Sequence, residues 1–250
     1  MKGLLYRKIR EAGMAWVNVL FPRRCPVCGR IVCRERELIC PSCISRLSVV
    51  KQPVCRKCGK EIWSDQEEYC LDCTRHRRTF DSGVALLNYN EAAKHSMAAI
   101  KYKNKREYLD FYGAALVSRF QKVVWHWQAD VLIPVPVHPS RRRRRGFNQA
   151  EELAKRLSRG WGIPMDKEFL VRSKRTAPQR DLNPSERLKN LQQAFEVHPC
   201  YGGNKRVPRC VVLVDDIYTT GSTMEACSRV LRAAGVEQIH FVAICIGHGR

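Results

Sequence analysis

The sequence predicts an α/β fold, a parallel sheet covered by helices on both faces, preceded by a small cysteine-rich module. Two observations carry this. Short continuous apolar runs, among them VVLV at 211–214 and IHFVAICI at 239–246, alternate with amphipathic helical stretches. Strands buried on both faces read this way, and strand–helix alternation makes them parallel. The second observation is that four Cys-x-x-Cys pairs crowd the first third of the chain. At 250 residues there is length for one full core and an appendage. The expected divisions are an N-terminal helix at 1–22, the cysteine module at 23–76 and the α/β domain at 77–250.

In the first division Leu5, Ile9, Ala12, Trp16 and Val19 recur at helical spacing beside Lys2, Arg7, Lys8 and Arg10. This predicts a short amphipathic helix packing on its own protein, with weak contact to a membrane surface as the alternative. A signal peptide is disfavoured, because no small-residue cleavage site precedes Cys25 and the downstream thiols need reduction. No apolar run approaches the roughly 20 residues that span a bilayer. The expected location is the cytoplasm, with peripheral contact at the inner membrane face as the alternative.

In the second division Cys25-x-x-Cys28 is followed by Cys40-x-x-Cys43, and thirty residues later Cys55-x-x-Cys58 is followed by Cys70-x-x-Cys73. Glycine follows the first pair in each copy, at Gly29 and Gly59. Two-residue spacing lets both sulfurs of a turn face one ion, and four thiolates close a tetrahedral shell with no position left for water. Two structural zinc ions are expected. Spacing alone leaves open whether the sets are sequential or crossed between repeats. Of thirteen cysteines nine lie between Cys25 and Cys73, Cys33 being spare in this pattern; metal-like spacing and an odd total point to a reducing compartment rather than a disulfide framework. The module's few apolar residues could not offset chain entropy unaided, whereas structural zinc contributes on the order of 10 kcal/mol per site.

Along the third division the pattern predicts a strand at 81–89 and helices at 91–102 and 105–122. Next come a strand at 131–137, a helix at 147–157, an apolar run at 169–171 and a helix at 185–194. A strand at 211–214, a helix at 223–234 and a strand at 239–246 complete it. In VVLVDDIYTTGSTMEA, a buried run delivers Asp215 and Asp216 to the end of a strand, where ligands of parallel sheets bind. Thr219, Thr220, Gly221, Ser222 and Thr223 then open a helix, offering hydroxyls and backbone N–H groups at its positive end as a phosphate cradle. No lysine follows the glycine, so this is not a Walker loop.

Apolar run, acidic pair and T-T-G-S-T together resemble the phosphoribosyl pyrophosphate (PRPP) motif of type I phosphoribosyltransferases. The resemblance implies that the acidic pair holds the ribose 2′ and 3′ hydroxyls and the loop holds the 5-phosphate. It also implies Mg²⁺ with the pyrophosphate, and a type I phosphoribosyltransferase-like sheet. In such a fold the loop after the first core strand grips pyrophosphate, which makes Val135, Pro136, Val137 and His138 the candidates. A basic loop, Arg141, Arg142, Arg143, Arg144 and Arg145, is expected next; beside an anion site, arginine forks suit phosphates better than a merely solvated face requires. The polar stretch 172–195 is expected to be a lid, with Thr176 and Gln179 in it; a plain linker is the alternative.

The double cysteine repeat, P-V-P-V-H with R-G-F-N-Q at 145–149, T-x-x-Q at Thr176 and Gln179, and the PRPP motif together resemble the ComF family of bacterial competence proteins. The likeness runs from FPRRCPVCG at 21–29 to the last strand. It implies a role in natural transformation, handling incoming single-stranded DNA with DNA-uptake or recombination machinery, and binding of PRPP and single-stranded DNA with no established acceptor base. The formal charge of +21, lowered by about four if eight thiolates hold two dications, agrees with a polyanionic partner. Arg141–Arg145, Lys101, Lys103 and basic ribbon residues are the candidate nucleic-acid contacts. The alternative is an active phosphoribosyltransferase that transfers ribose 5-phosphate to an unidentified nitrogen base, with Asp215 and Asp216 orienting the ribose and Tyr218 near the base.

Overall fold

A computed structural model describes residues 22–32, 37–172, 194–201 and 206–247. Residues 1–21, Cys33, nearly all of the helix expected at 185–194, and both Thr176 and Gln179 lie outside the described residues. Two short helices sit in the cysteine module, α1 (Pro41–Ile44) and α2 (Leu71–Arg75). Then follow β1 (Ser82–Asn88), α3 (Glu91–Tyr102), α4 (Tyr108–Trp127), β2 (Val131–Pro134), α5 (Pro139–Arg145) and α6 (Gln149–Trp161). The chain continues through β3 (Leu170–Arg172), β4 (Phe195–Val197), β5 (Cys210–Tyr218), α7 (Ser222–Ala233) and β6 (Gln238–Ile246).

The main sheet is parallel, in the order β1-β6-β5-β2. Alternation along its central strands sends side chains to two separate cores. Val212, Val214, Val242 and Ile244 meet Met97, Leu109, Leu116, Leu153 and Leu157 from α3, α4 and α6. Val211, Leu213, Phe241 and Ala243 meet Met224, Cys227 and Leu231 from α7 on the other face. This is the expected covered parallel sheet.

Several elements differ from the sequence reading. β2, expected over 131–137, ends at Pro134, after which the chain passes into the loop to α5. β5 continues through the acidic pair to Tyr218 rather than stopping at Val214, because its backbone ladder with β6 runs on to Tyr218↔Ile246. β3 is not a strand of the parallel sheet; it pairs antiparallel with β4 in a separate ribbon, so Arg172 and Phe195, which bound the expected lid, are register partners. The arginine run is a helix, not a loop. Pro139 occupies its first turn, and His138 caps it with Nδ1 accepting from the Ser140 N–H at 3.2 Å. Arginine is a good helix former, and cations in the last turn complement the helix dipole.

The two cysteine repeats share the hydrogen bonds of their first turns. Cys25 N–H donates to Arg30 O and Cys55 N–H to Lys60 O; Gly29 and Gly59 N–H return to the Cys25 and Cys55 carbonyls. Isolated bridges Arg24↔Ile31 and Val54↔Glu61 correspond as well. Neither repeat stands apart from the sheet. Val27, Ile39 and Leu47 join the α3/α4 core, while Ile62 and Val50 join the α7 core with Phe80. Gly59, at φ +76°, lies so close to β1 that a β-carbon there would be 2.6 Å from the Gly83 carbonyl. The connecting segment lines β1, with Asn88 N–H on Ser48 O at 2.7 Å and Val50 N–H on Leu86 O at 3.1 Å.

His240 on β6 is buried with its ring stacked on Trp127 at 4.5 Å and its Nδ1 2.9 Å from Ser82 Oγ. Burial pushes its pKa down to about 4, against about 6.5 in an unfolded chain. Between those values the unfolded chain takes up a proton that the folded chain refuses. Stability is therefore complete above pH 6.5 and declines as pH falls toward 4. Chemical denaturation at pH 7 and pH 5 is expected to show the parent losing about 2 kcal/mol more than His240→Gln over that interval. Equal losses would show that His240 does not titrate in this way. Zinc release on acidification is common to both proteins and cancels in the comparison.

Candidate functional site

The acidic pair lies where β2 stops and β5 does not. The last β2–β5 register pair is Pro134↔Val214, so Asp215 and Asp216 project past the carboxyl end of β2. Asp216 is buried and ionically paired, with Lys101 Nζ 2.5 Å from its Oδ2. Gln149 Nε2 donates to its Oδ1 at 3.1 Å. Asp215 is half-buried, and its Oδ1 accepts from the Asp216 N–H at 2.8 Å.

These surroundings split the two carboxyls. Burial, reinforced by the neighbouring Asp216 carboxylate, pushes Asp215 well above the ordinary carboxylate range. Burial also opposes ionisation of Asp216, but Lys101 outweighs it and holds Asp216 below its usual value. The two carboxyls are thus driven apart in acidity, Asp216 the stronger acid and Asp215 the weaker.

The R-G-F-N-Q motif is the part of the site whose work is not legible in the sequence. Asn148 caps α6 by accepting the Ala150 N–H, and its Nδ2 donates to the Val135 carbonyl at 3.0 Å. This ties the P-V-P-V-H loop to α6. One residue later Gln149 accepts from Arg145 Nη1 at 2.9 Å while donating to Asp216. A polar chain therefore runs Arg145–Gln149–Asp216–Lys101. Phe147 anchors the motif in the core, with the Arg106 guanidinium over its ring at 4.3 Å. An asparagine ahead of a helix is a cap signal that the sequence does carry; the Gln149 contact has no such signal.

The expected pyrophosphate loop is fastened at both ends. Val135 N–H extends the sheet by donating to Val214 O, and His138 caps α5; Pro136 and Val137 between them are half-buried. Burial and then Arg172, Arg141 and Arg143 hold His138 below the usual histidine value. In the Thr219–Thr223 loop Thr219 and Thr220 are exposed, and Thr220 Oγ1 lies 2.9 Å from Ser222 Oγ. Gly221 has φ +78°, and a β-carbon there would collide with the Tyr218 hydroxyl. Tyr218 itself is buried, stacked on Phe241 at 4.8 Å. It supports the loop from beneath instead of facing a base.

The candidate nucleic-acid residues divide. Lys101 is committed to Asp216 and is not a free groove cation. Arg142 pairs with Glu151 at 3.4 Å, and Arg145 is held by Gln149. Arg144 and Arg145 flank the exposed ring of Tyr102 at 5.7 and 5.2 Å. Arg141, Arg143 and Lys103 are exposed, and among the described residues none has an ion pair. Arg172, which the sequence marks only as the first residue of the polar stretch, has a buried Nε without a hydrogen-bond partner and packs on Phe195 at 5.1 Å.

The cysteines form two sequential sets, Cys25, Cys28, Cys40, Cys43 and Cys55, Cys58, Cys70, Cys73, each with its sulfurs within 4.8 Å of one another. Cys28–Cys40 and Cys58–Cys70 sulfurs are 3.8 and 3.6 Å apart. A tetrahedron with Zn–S bonds of about 2.3 Å has edges of about 3.8 Å, so both sets fit zinc and the crossed arrangement is excluded. No helix among the described residues is long and apolar enough to cross a membrane.

Comparison with known proteins finds a double zinc ribbon domain over residues 16–74 and a phosphoribosyl transferase domain over residues 127–250. Among curated proteins the chain is 31% identical to "Competence protein F" of Haemophilus influenzae, over 88% of this chain and 95% of that one. It is 28% identical to "Competence protein ComFC" of Bacillus subtilis, over 80% of each. With "DNA utilization protein YhgH" of Shigella flexneri it shares 27% identity over 90% of this chain and 97% of that one.

Proposed function

Because the chain belongs to the ComF family of competence and DNA-utilisation proteins, pairing a double zinc ribbon with a phosphoribosyltransferase domain, we propose that it binds PRPP at the end of β5 and single-stranded DNA on its basic surface during natural transformation. The observation that carries the PRPP reading is the Lys101–Asp216–Gln149–Arg145 chain. It fixes one ionised carboxylate past the carboxyl end of β2, beside a half-buried partner, for a pair of ribose hydroxyls to meet. The Thr219–Thr223 loop supplies hydroxyls and N–H groups for the 5-phosphate. Val135–His138 and Arg172, whose buried Nε has no hydrogen-bond partner among the described residues, are the groups we assign to the charge of the pyrophosphate. Mg²⁺, if bound with the pyrophosphate, would supply further charge neutralisation. Lys101 sets the ionisation of Asp216, and the Asn148 anchor keeps the P-V-P-V-H loop in register with it.

For the DNA strand, Arg141, Arg143 and Lys103 supply exposed cations and Tyr102 an exposed ring for base stacking. Arg141→Ala with Arg143→Ala is expected to weaken binding of an oligothymidylate about tenfold in low salt and to reduce the salt slope by about 1.4, since each phosphate left without its arginine removes about 0.7. PRPP binding should be unchanged. Wild-type salt dependence in this variant would remove α5 from the strand's path.

A second reading, transfer of ribose 5-phosphate to a nitrogen base, draws support from the split between the carboxyls. Environments that push paired acids apart are how acid and base roles are assigned in enzymes. The C1–O bond to pyrophosphate would break, a C1–N bond would form, and the base would release a proton. Incubation with PRPP, Mg²⁺ and a panel of nucleobases, with and without single-stranded DNA, separates the readings. Pyrophosphate release that depends on one base establishes turnover; PRPP binding without release in any arm leaves the binding role.

A further inference from the structure

Beside the second ribbon, away from the polar chain at Asp216, lies a concavity of about 650 Å³ on whose walls Lys57, Arg77, Arg78 and Arg229 converge. One acid lines it, Asp81, and that carboxylate is already occupied by Arg232 Nη2 at 2.9 Å and the Ile239 N–H at 2.7 Å. Arg229 uses its Nε on Glu225 at 2.7 Å. Arg78 has a buried Nε with no hydrogen-bond partner. Arg77 is exposed, and Tyr69 offers a half-exposed ring at the rim. Four cations gathered in one hollow repel one another, and low-dielectric walls focus their field on whatever anion enters. Arg78 lines the hollow while its Nε, buried, has no hydrogen-bond partner among the described residues, so its charge is only partly met by hydrogen bonds and adds to the field.

Arg78 also reaches out of the hollow. Its Nη2 donates to the Thr220 carbonyl at 2.8 Å, so the same guanidinium that lines this concavity props the loop proposed to hold the 5-phosphate.

We propose that this hollow is a second oxyanion site, taking phosphate groups of a nucleic-acid strand or of a free polyphosphate, and that Arg78 links its occupancy to the Thr219–Thr223 loop. The strand source rests on the single-stranded DNA reading above; the free-anion source does not. Lys57 and Arg77 are the residues to change, since neither touches that loop or the acidic pair.

The test uses the full zinc-loaded chain and its Lys57→Ala/Arg77→Ala variant, both checked for zinc content and thermal unfolding. Fluorescein-labelled oligothymidylate is titrated by anisotropy, and inorganic tripolyphosphate by calorimetry with PRPP and Mg²⁺ at saturation to occupy the first site. Binding of one probe is expected to weaken about tenfold in the variant, with a salt slope smaller by about 1.4 if that probe is the strand. Weakening of the oligothymidylate alone assigns the hollow to a strand; weakening of tripolyphosphate alone assigns it to a free polyphosphate. Equal binding of both probes by the two proteins overturns the proposal, as does a parent that binds neither. A parent that binds tripolyphosphate but no oligothymidylate sinks the DNA reading and leaves the hollow standing. The link is read separately: Arg78→Ala should lower PRPP affinity several-fold where Lys57→Ala/Arg77→Ala does not, and equal PRPP affinity in all three proteins refutes it.

Discussion

Stripping both zinc ions from the full chain is expected to unfold the α/β core together with the ribbons. The two cysteine sets are not appended to the sheet; they supply part of its packing. Cys25, Val27 and Leu47 share a buried cluster with Leu109 and Tyr112, and Cys55, Cys58 and Ile62 share one with Phe80 and Phe241. Arg119 on α4 donates to the Val50 carbonyl at 2.6 Å, crossing from the core to the segment between the repeats. Structural zinc is worth on the order of 10 kcal/mol per site, and whole domains are stable by only about 5–15 kcal/mol. Losing two sites should leave a net instability. Zinc release by a strong chelator, followed with a colorimetric dye, should coincide with loss of near-ultraviolet circular dichroism in one transition. Cys25→Ser and Cys55→Ser should each bind one zinc in place of two and lower the melting temperature by at least about 10 °C, given about 2–4 °C per kcal/mol for a chain of this size. A core that melts as before once both ions have left would establish the ribbons as an independent domain.

How far the sequence reached follows from what each signal depends on. The covered sheet was legible because Val211–Val214 and Ile239–Ile246 must be apolar on both faces, a requirement written into composition. Where β5 ends was not, since Asp215 and Asp216 interrupt the apolar run while the backbone ladder to β6 is indifferent to side chains. Zinc was legible from spacing, but sequential and crossed pairings share that spacing, and the sulfur positions decide between them. Treating the arginine run as a loop gives charge priority over conformation, although Pro139 and five straight-chain residues are ordinary helix signals. The acidic pair stands out by local pattern; its partners Lys101 and Gln149 come from α3 and the start of α6, and no local pattern reports contacts brought together by packing.

Those partners make the second large prediction. Asp216→Asn is expected to abolish PRPP binding and also to cost about 3–5 kcal/mol of stability, because it leaves the Lys101 ammonium buried without its counter-charge. Both side chains are largely shielded, at 17% exposure for Lys101 and 6% for Asp216, so solvent offers little compensation. Adding Lys101→Met to Asp216→Asn removes the second charge with the first. That double variant should recover most of the lost stability, since neutral replacement of a buried ion pair is often tolerated. It should recover none of the PRPP affinity, which needs the carboxylate itself. Calorimetric titration with PRPP and Mg²⁺, beside urea unfolding of the same preparations, reads both quantities. PRPP binding regained in the double variant would mean that Asp216 serves the fold and not the ligand, and the ribose would then have to be held elsewhere. Stability lost equally in the single and double variants would mean that the cost lies in the Gln149 bond to Asp216 rather than in the stranded charge. With the expected pattern, one ion pair both holds α3 against the end of β5 and keeps a carboxylate ionised where the sugar must bind.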